Sequence, residues 1–250
     1  MSALDLYNHP SAQYAQRVER AIALLRDVAA THPRLTQASS LGVEDVVVTH
    51  LIHLAGIRSR IFVLETGRLH PETLALIPQI EQRYGRTIDR YHPVQEEVVH
   101  FVRTEGDDAM FRSVGLRKAC CELRKMEPLS RALAGVDGWI TGLRREQSNA
   151  RAEAAEVVQE PGRVKVSPLV DWTWGDVWHF VAEHGLAYNP LHDRFFPSIG
   201  CEPCTRAISV GEDFRAGRWW WEQDNAKECG LHVQPAASSL PTPRTERNPA

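Results

Sequence analysis

Ile61-Phe62-Val63-Leu64 is a continuous run of four apolar residues, and Glu65-Thr66-Gly67-Arg68 follows it directly. An unbroken apolar run is typical of a parallel strand buried on both faces, whereas a strand with one solvated face alternates apolar and polar residues. The polar and glycine residues that follow mark the end of the strand. The stretch therefore predicts an α/β protein with an interior sheet and a polar loop at the carboxyl end of this strand.

The pattern of short strand, polar loop and helix repeats along the chain. Further strands are predicted to end at Gln37-Ala38-Ser39-Ser40 and to cover 87–91, 139–141 and 164–166. Helices are predicted at 12–30, 46–55, 71–84 and 120–133. Another helix is expected to begin after Thr173, which is spaced from Asp176 as a capping box, and to bury Trp174, Trp178 and Val181. Alternating strands and helices predict a mostly parallel twisted sheet with helices on both faces.

Three polar loops, at 39–45, 65–68 and 142–148, follow predicted strands directly. Ligands of such sheets bind beyond the carboxyl ends of the strands, so we expect these loops to meet in one crevice. The first loop leads through serine and glycine into a helix, an arrangement that points backbone N–H groups at an anion. An ordinary strand-to-helix turn also carries serine and glycine, so this loop alone does not decide the ligand.

Four of the five cysteines form two close pairs, Cys120-Cys121 and Cys201-Glu202-Pro203-Cys204. Four thiolates suit structural zinc or an iron–sulfur cluster. Zinc ligands are usually separated by two to four residues, so the adjacent pair favours a wider cluster. Two disulfides are a third alternative, but Met1–Asp5 does not resemble a secretory signal, and clustered cysteines in a reducing cytoplasm are more often metal-binding or catalytic. We predict a cytoplasmic protein with a 4Fe–4S cluster on these four cysteines.

The composition is that of a globular protein, with 43% hydrophobic and 24% charged residues and a net charge of −3 over 250 residues. This charge gives no support for nucleic-acid binding, and no apolar stretch reaches the length of a membrane span. The sequence predicts one domain over residues 1–233, followed by a disordered tail at 234–250 that is rich in Pro, Ser and Ala. It leaves open whether the chain forms a homo-oligomer.

Basic residues concentrate inside the motifs, which indicates a small anionic ligand. Arg124 and Lys125 follow the adjacent cysteines, and on a helix Cys121 and Lys125 are four residues apart and share a face. Ordinary surface charge is the alternative for this pair. Near the carboxyl end, Arg215 and Arg218 precede Trp219-Trp220-Trp221 and form either surface or a clamp for a doubly charged group.

Together these motifs resemble the assimilatory sulfonucleotide reductases, specifically the cluster-containing bacterial type that acts on adenylyl sulfate (APS). The resemblance covers residues 39–233 and rests on the four paired cysteines, the stretch 215–221 and Glu228-Cys229-Gly230-Leu231-His232. It implies a fold like that of the PP-loop adenine nucleotide hydrolases. The loop Ser40–Asp45 departs from the ATP-using members because it lacks their lysine and double glycine, which suits a ligand with no pyrophosphate to bind.

The resemblance also implies a reaction and a site. APS would be reduced to sulfite and AMP, in assimilatory sulfate reduction for cysteine biosynthesis, through an S-sulfonate on Cys229 in a mobile segment near 225–233. Thioredoxin, or a glutaredoxin-like reductant, would supply the electrons. The implied nucleotide pocket is lined by Ser39, Leu64, Thr66 and Gly142, and the implied phosphosulfate site by Lys125, Arg151, Arg215, Arg218 and His232. Lys125 is further expected to separate the negative cluster from the anionic substrate.

Three alternatives remain at this stage. The first is a reductase that uses the 3′-phosphorylated substrate PAPS, or both substrates. The second is a PP-loop nucleotidyltransferase with structural zinc, and the third is a non-enzymatic nucleotide-binding module. The APS reductase hypothesis is favoured because it alone gives a role to all five cysteines.

Overall fold

The structure is a computed structural model that describes residues 2–222. Its centre is a six-stranded sheet with the order β3-β2-β1-β4-β6-β5. The strands are β1 (Leu35–Ser39), β2 (Arg60–Leu64), β3 (Asp89–Tyr91), β4 (Gly138–Ile140), β5 (Val157–Glu160) and β6 (Arg163–Val166). All neighbouring pairs are parallel except β5 and β6, which are antiparallel. The predicted, mostly parallel α/β fold is confirmed.

The helices connect these strands and cover the sheet. They are α1 (Ala3–Tyr7), α2 (Tyr14–Thr31), α3 (Val43–Ala55), α4 (Pro71–Leu74), α5 (Leu76–Tyr84), α6 (Gln95–Glu105), α7 (Val114–Cys121), α8 (Glu127–Ala132) and α9 (Trp174–His184). Short 3₁₀ turns and one π-helical segment occur between them. No helix within residues 2–222 combines the length and apolar character needed to cross a bilayer.

The alternation of side chains along β2 produces a core on each face of the sheet. Ile61 and Val63 pack into the larger core with buried residues of α2, α3, α5 and α9. Phe62 points to the other face and packs with Trp139 of β4 and Leu129 of α8. Because successive residues of a strand face opposite sides, an entirely apolar strand requires helices on both faces.

Two predicted helices are interrupted, and a proline explains each interruption. Pro78 has no N–H to donate to the carbonyl of Leu74, and the predicted helix 71–84 divides into α4 and α5 after that residue. Pro128 likewise cannot donate to the carbonyl of Arg124. The backbone widens into a π-helix over Glu122–Met126 before α8 begins.

Other sequence predictions agree closely with the structure. The capping box of α9 forms between Thr173 and Asp176, Trp178 and Val181 are buried, and Trp174 is half-buried. The hairpin partner β5 was not predicted from the sequence.

The sheet order creates a crevice at the carboxyl end of β1. From β1 the chain proceeds outward to β2 and β3 and then returns to β4 on the opposite side of β1. Connections that leave two neighbouring strands in opposite directions open a gap between their carboxyl ends, where ligands of α/β sheets bind. Ser39 ends β1, and Thr141 and Gly142 follow β4, so these residues border that gap.

Candidate active site

A cavity of about 200 Å³ lies at the carboxyl ends of β1, β2 and β4. The three polar loops predicted to converge all contribute to it. The predicted substrate-binding residues within 2–222 all line this one cavity, namely Ser39, Leu64, Thr66, Lys125, Gly142, Arg151, Arg215 and Arg218. The predicted nucleophile Cys229 and the predicted ligand His232 lie outside the described residues.

Asp45 joins two of the cavity-lining loops. Its carboxylate accepts hydrogen bonds from the backbone N–H and hydroxyl of Ser40, both at 2.6 Å, and from the N–H of Gly142 at 2.9 Å. A side chain at Gly142 would begin only 2.7 Å from an Asp45 carboxylate oxygen, so this position requires glycine. Burial raises the pKa of Asp45 to about 6, although the hydrogen bonds from Ser40 lower it, so Asp45 is ionised at neutral pH.

A second buried carboxylate, Glu44, forms part of a network with Arg144 and Gln147. The buried guanidinium of Arg144 donates to Glu44 at 3.1 Å, and the side-chain amide of Gln147 donates to the same oxygen at 3.0 Å. The Gln147 carbonyl oxygen accepts from Arg151, which orients that arginine at the cavity wall. Sequence reasoning missed Asp45, Glu44, Arg144 and Gln147 as site residues. The available signal was their place in the predicted strand-end loops.

The C-x-x-C loop positions Arg218. The Arg218 guanidinium lies 4.6 Å from the centre of the Trp219 ring, and its Nε donates to the Cys204 carbonyl at 3.3 Å. Gly200 makes room for it, because a Cβ there would come within 2.3 Å of an Arg218 nitrogen. Arg218 is therefore buried at the cavity wall, which fits the predicted clamp better than ordinary surface.

The four paired cysteines gather beside this cavity. All four are buried and line a second, smaller space, and no disulfide joins any of them, so the disulfide alternative is wrong. The backbone N–H of Glu202 donates to the Arg68 carbonyl at 2.7 Å, which ties the C-x-x-C loop to the loop after β2. The hydroxyl oxygen of Thr66, a residue that lines the first cavity, lies 3.3 Å from the Cys201 sulfur.

Arg124 and Lys125 project from the π-helical segment that follows the adjacent cysteines. Arg124 is buried and donates to the Thr66 carbonyl at 2.8 Å, so the surface alternative is wrong for this residue. Lys125 is half-buried and lines both the larger cavity and the cysteine site. The predicted α-helical spacing is replaced by a π-helix, a feature that is frequent at functional sites.

The thiols have the chemistry of a metal-binding set. Burial and the neighbouring Cys121 raise the pKa of the Cys120 thiol, and burial together with Cys201 raises the pKa of Cys204 to about 12. Burial also opposes ionisation of Cys201, but Lys125, the Thr66 hydroxyl, Arg218 and Arg124 together outweigh it and lower the pKa of that thiol. Four adjacent buried thiols can ionise together only beside a strongly positive partner, such as a metal centre.

The arrangement of the thiols bears on the kind of metal centre. Within residues 2–222, no three His, Cys, Asp or Glu side chains converge closely enough to hold a single metal ion. The thiols instead surround a space of about 10 Å³, room for roughly one water-sized group. In residue type and burial they fit an iron–sulfur cluster, which needs more room than this space provides.

Comparison with known proteins agrees with this geometry. Residues 34–207 match the model of the phosphoadenosine phosphosulfate reductase domain. The chain is 52% identical over 223 residues to an adenosine 5′-phosphosulfate reductase of Burkholderia cepacia, covering 88% of this chain and 89% of that one. It is 49% identical over 236 residues to the protein of the same name from Allochromatium vinosum, covering 93% and 92%.

Solved structures show the same fold. A phosphoadenylyl-sulfate reductase from Candida auris superposes with a TM-score of 0.62 at 26% identity, over 76% of this chain and 92% of that one. An FMN adenylyltransferase from Candida glabrata superposes with a TM-score of 0.55 at 11% identity, over 91% and 81%. The second likeness concerns the fold alone.

Proposed function

This chain belongs to the phosphoadenosine phosphosulfate reductase domain family, and we propose that it reduces adenylyl sulfate to sulfite and AMP with electrons from a thioredoxin-type protein. One observation carries the proposal: a cavity lined by four cationic side chains adjoins four buried thiols, and Lys125 lines both. An anionic sulfonucleotide suits such a cavity, and the thiols suit a metal centre beside it. The curated relatives named above carry the corresponding activity in their names.

The charges inside the cavity suggest an orientation for the substrate. Lys125 and Arg218 lie next to the cysteines, where both favour the ionised form of Cys201. Glu44 and Asp45 lie at the gap between β1 and β4. We propose that the phosphosulfate faces the first pair and that the uncharged nucleoside lies near Ser39 and Gly142. In this orientation the phosphosulfate lies beside the cations Lys125 and Arg218 and away from the two carboxylates, so attraction and repulsion favour the same pose.

The chemistry requires a nucleophilic thiolate outside the four-cysteine set. In the proposed reaction the thiolate of Cys229 attacks the sulfate sulfur, the sulfur–oxygen bond to the phosphate breaks, and AMP leaves with the bonding electrons. Cys229 then carries the S-sulfonate. Arg151, Arg215, Arg218 and Lys125 would bind the phosphosulfate and stabilise the charge that develops on the leaving phosphate. The predicted ligand His232 belongs to the same proposed site.

We propose that Cys120, Cys121, Cys201 and Cys204 hold a 4Fe–4S cluster. When bound, this group supplies a negative charge near the substrate and a structural link between α7 and the C-x-x-C loop. Lys125 would then separate that charge from the phosphosulfate. Because thiol chemistry supplies the two electrons for sulfite formation, the reaction does not need the cluster as an electron carrier.

A PAPS or dual-substrate reductase is the main alternative. The family model carries the name of the 3′-phosphorylated substrate, and the Candida auris relative is a PAPS reductase. We favour APS because the curated relatives named above are adenosine 5′-phosphosulfate reductases. A zinc nucleotidyltransferase receives less support, because the curated relatives are named as reductases and the likeness to an adenylyltransferase concerns the fold alone.

Mass spectrometry of the anaerobically purified protein tests the proposal. The protein is incubated without reductant, separately with APS and with PAPS, and its peptides are analysed. We expect a sulfonate of about 80 Da on Cys229 with APS only, the mass that one SO₃ group adds. An adduct with both substrates would support the dual-substrate alternative. Metal-loaded protein that forms no adduct with either substrate would contradict the proposed function.

A further inference from the structure

Three aromatic side chains form an exposed cluster near the cysteine site. Phe111 is 44% exposed, Trp220 is 39% exposed, and Trp221 packs between them with ring centres 4.5 Å and 4.8 Å away. We call these three residues the aromatic patch. Clustered aromatic residues on a surface are characteristic of protein–protein interfaces, and tryptophan is the residue type most enriched at their energetic centres. Phe111 and Trp220 line neither the substrate cavity nor the cysteine site, whereas Trp221 packs against the buried cluster that includes Cys120, Cys201 and Cys204.

The patch adjoins a fixed point of the main chain. Glu222 forms a two-pronged ion pair with Arg117, with N···O distances of 2.9 Å and 2.8 Å, and both side chains are almost fully buried. The Arg117 guanidinium also stacks over the Trp219 ring at 4.6 Å. Because Arg117 belongs to α7, the chain up to Glu222 is held against the helix that carries the adjacent cysteines. The ion pair therefore fixes the point from which the sequence continues toward Cys229.

From the position of this fixed point, we infer that the aromatic patch is the docking surface for the dithiol protein that reduces the Cys229 adduct. Cys229 is seven residues beyond Glu222, so it can lie at most about 25 Å from that residue. A reductant must bring its thiolate into contact with the Cys229 sulfur, and it must therefore dock within this distance. Trp221 of the patch directly precedes Glu222, and the patch presents apolar surface suited to a thioredoxin-type partner.

The step at this surface balances as a two-electron transfer. One thiolate of the partner attacks the Cys229 sulfur, the bond to the sulfonate sulfur breaks, and sulfite leaves with the bonding electrons. The second thiol of the partner, after losing its proton, attacks the mixed disulfide and releases the Cys229 thiolate. The partner is oxidised to a disulfide. The docking surface rests on the proposed function, because it has a role only if Cys229 carries the sulfonate.

Phe111→Ala and Trp220→Ala test the inference by separating the partner's step from the chemistry of the substrate. We expect each variant to lower kcat/KM for reduced bacterial thioredoxin about 10-fold or more, the scale of an interface hot spot. Formation of the Cys229 adduct from APS without reductant should keep its rate, as should sulfite release by dithiothreitol, which needs no docking surface. Leu54→Ala is the matched control, since Leu54 is equally exposed at the carboxyl end of α3, remote from the patch in sequence.

Different failures of this experiment have different meanings. Unchanged kinetics with thioredoxin in both variants would overturn the docking surface while leaving the proposed function intact. Slower adduct formation in the variants, together with turnover that falls in the same proportion with thioredoxin and with dithiothreitol, would assign the patch to residues 223–250 of this chain and overturn the inference. The absence of any adduct in the unaltered protein would overturn the proposed function itself.

Discussion

The substrate cavity and the cysteine site are neighbours that arise from different parts of the fold. The cavity is formed by loops at the carboxyl ends of three adjacent strands, so the sheet order alone brings its loops together. The cysteine site joins α7 to a 3₁₀ turn at Glu202–Cys204, about eighty residues later in the chain. Its two halves meet because both are tied to the loop after β2, Glu202 through the Arg68 carbonyl and Arg124 through the Thr66 carbonyl.

The two sites also differ in what stabilises them. In the cavity, the buried carboxylates Asp45 and Glu44 are each satisfied by protein donors. In the cysteine site, adjacent buried thiols oppose one another's ionisation and require an external positive partner. The comparison indicates that the cavity forms from the polypeptide alone, whereas the cysteine site would be completed by the proposed metal centre. Lys125 and Cys201, which line both sites, are the points where one can affect the other.

The largest effect on activity is expected from a substitution that disrupts the cysteine site but leaves the cavity intact. If the four cysteines hold the proposed cluster, Cys204→Ser should remove its iron and sulfide and lower APS turnover at least about 100-fold, because a metal site with three of four thiolates loses most of its affinity. Binding of AMP should change less than about 3-fold if the cavity forms independently, since no cavity hydrogen bond is lost. Iron and acid-labile sulfide analysis and calorimetric titration with AMP measure the two quantities.

Met110→Leu is the matched control for this variant. Met110 is buried and packs with Cys120, Cys201 and Cys204, but it supplies no thiolate. A volume-conserving change at such a position is expected to cost less than about 1.5 kcal/mol and to leave the iron in place. If Cys204→Ser abolished AMP binding while Met110→Leu did not, the two sites would be one cooperative unit, and the distinction between them would be lost.

The sequence predicted where the strand-end loops and the paired cysteines lie better than it predicted the partners of buried arginines. Loops and cysteine pairs are visible in the local sequence, whereas those partners are distant in the chain. The meeting of the loops at 39–45, 65–68 and 142–148 could be predicted because strand-end loops of a parallel sheet lie at one edge. The family resemblance, and not the strand pattern, assigns Ser39, Leu64, Thr66 and Gly142 to the nucleotide pocket. The cysteines could be grouped because thiols in pairs have few other uses in a reducing compartment. Arg124 could not be predicted as buried, because its partner is a backbone carbonyl of Thr66, far away in the sequence. The same limit applies to Arg144 and its partner Glu44.

Lys125 is the charged residue of the two that line both sites. Lys125→Gln removes the charge while keeping much of the side chain, and it should lower kcat/KM for APS about 10- to 100-fold, as expected for the loss of one partly buried cation that contacts a charged substrate. The iron content should not change, because Lys125 is not one of the four thiols. Steady-state kinetics together with iron analysis on the same preparations measure both.

Lys118→Gln is the control for this substitution. Lys118 is an exposed lysine of α7 that lines neither site, so its loss should leave kcat/KM within about 2-fold. Equal losses in the two variants would attribute the effect to net charge. Loss of iron in Lys125→Gln would instead make Lys125 a structural part of the cysteine site and would remove its role as the link between the sites.

The smallest expected effect lies within the cavity, where two buried groups respond to pH in opposite directions. The pKa of Asp45 is raised from 3.8 to about 6, so between these values the folded state holds a proton that the unfolded chain has released, and stability falls as pH rises. Burial lowers the pKa of His192 from 6.5 to about 4, so between these values the unfolded chain holds the extra proton, and stability rises with pH. Each group contributes a slope of at most about 1.4 kcal/mol per pH unit to the free energy of unfolding.

Asp45→Asn should therefore make stability rise more steeply between pH 4 and 6, and His192→Gln should make it rise less steeply or fall, as measured by urea unfolding across this range. Parallel pH profiles for both variants and the unaltered protein would mean that neither group changes its protonation on folding, which would contradict the prediction.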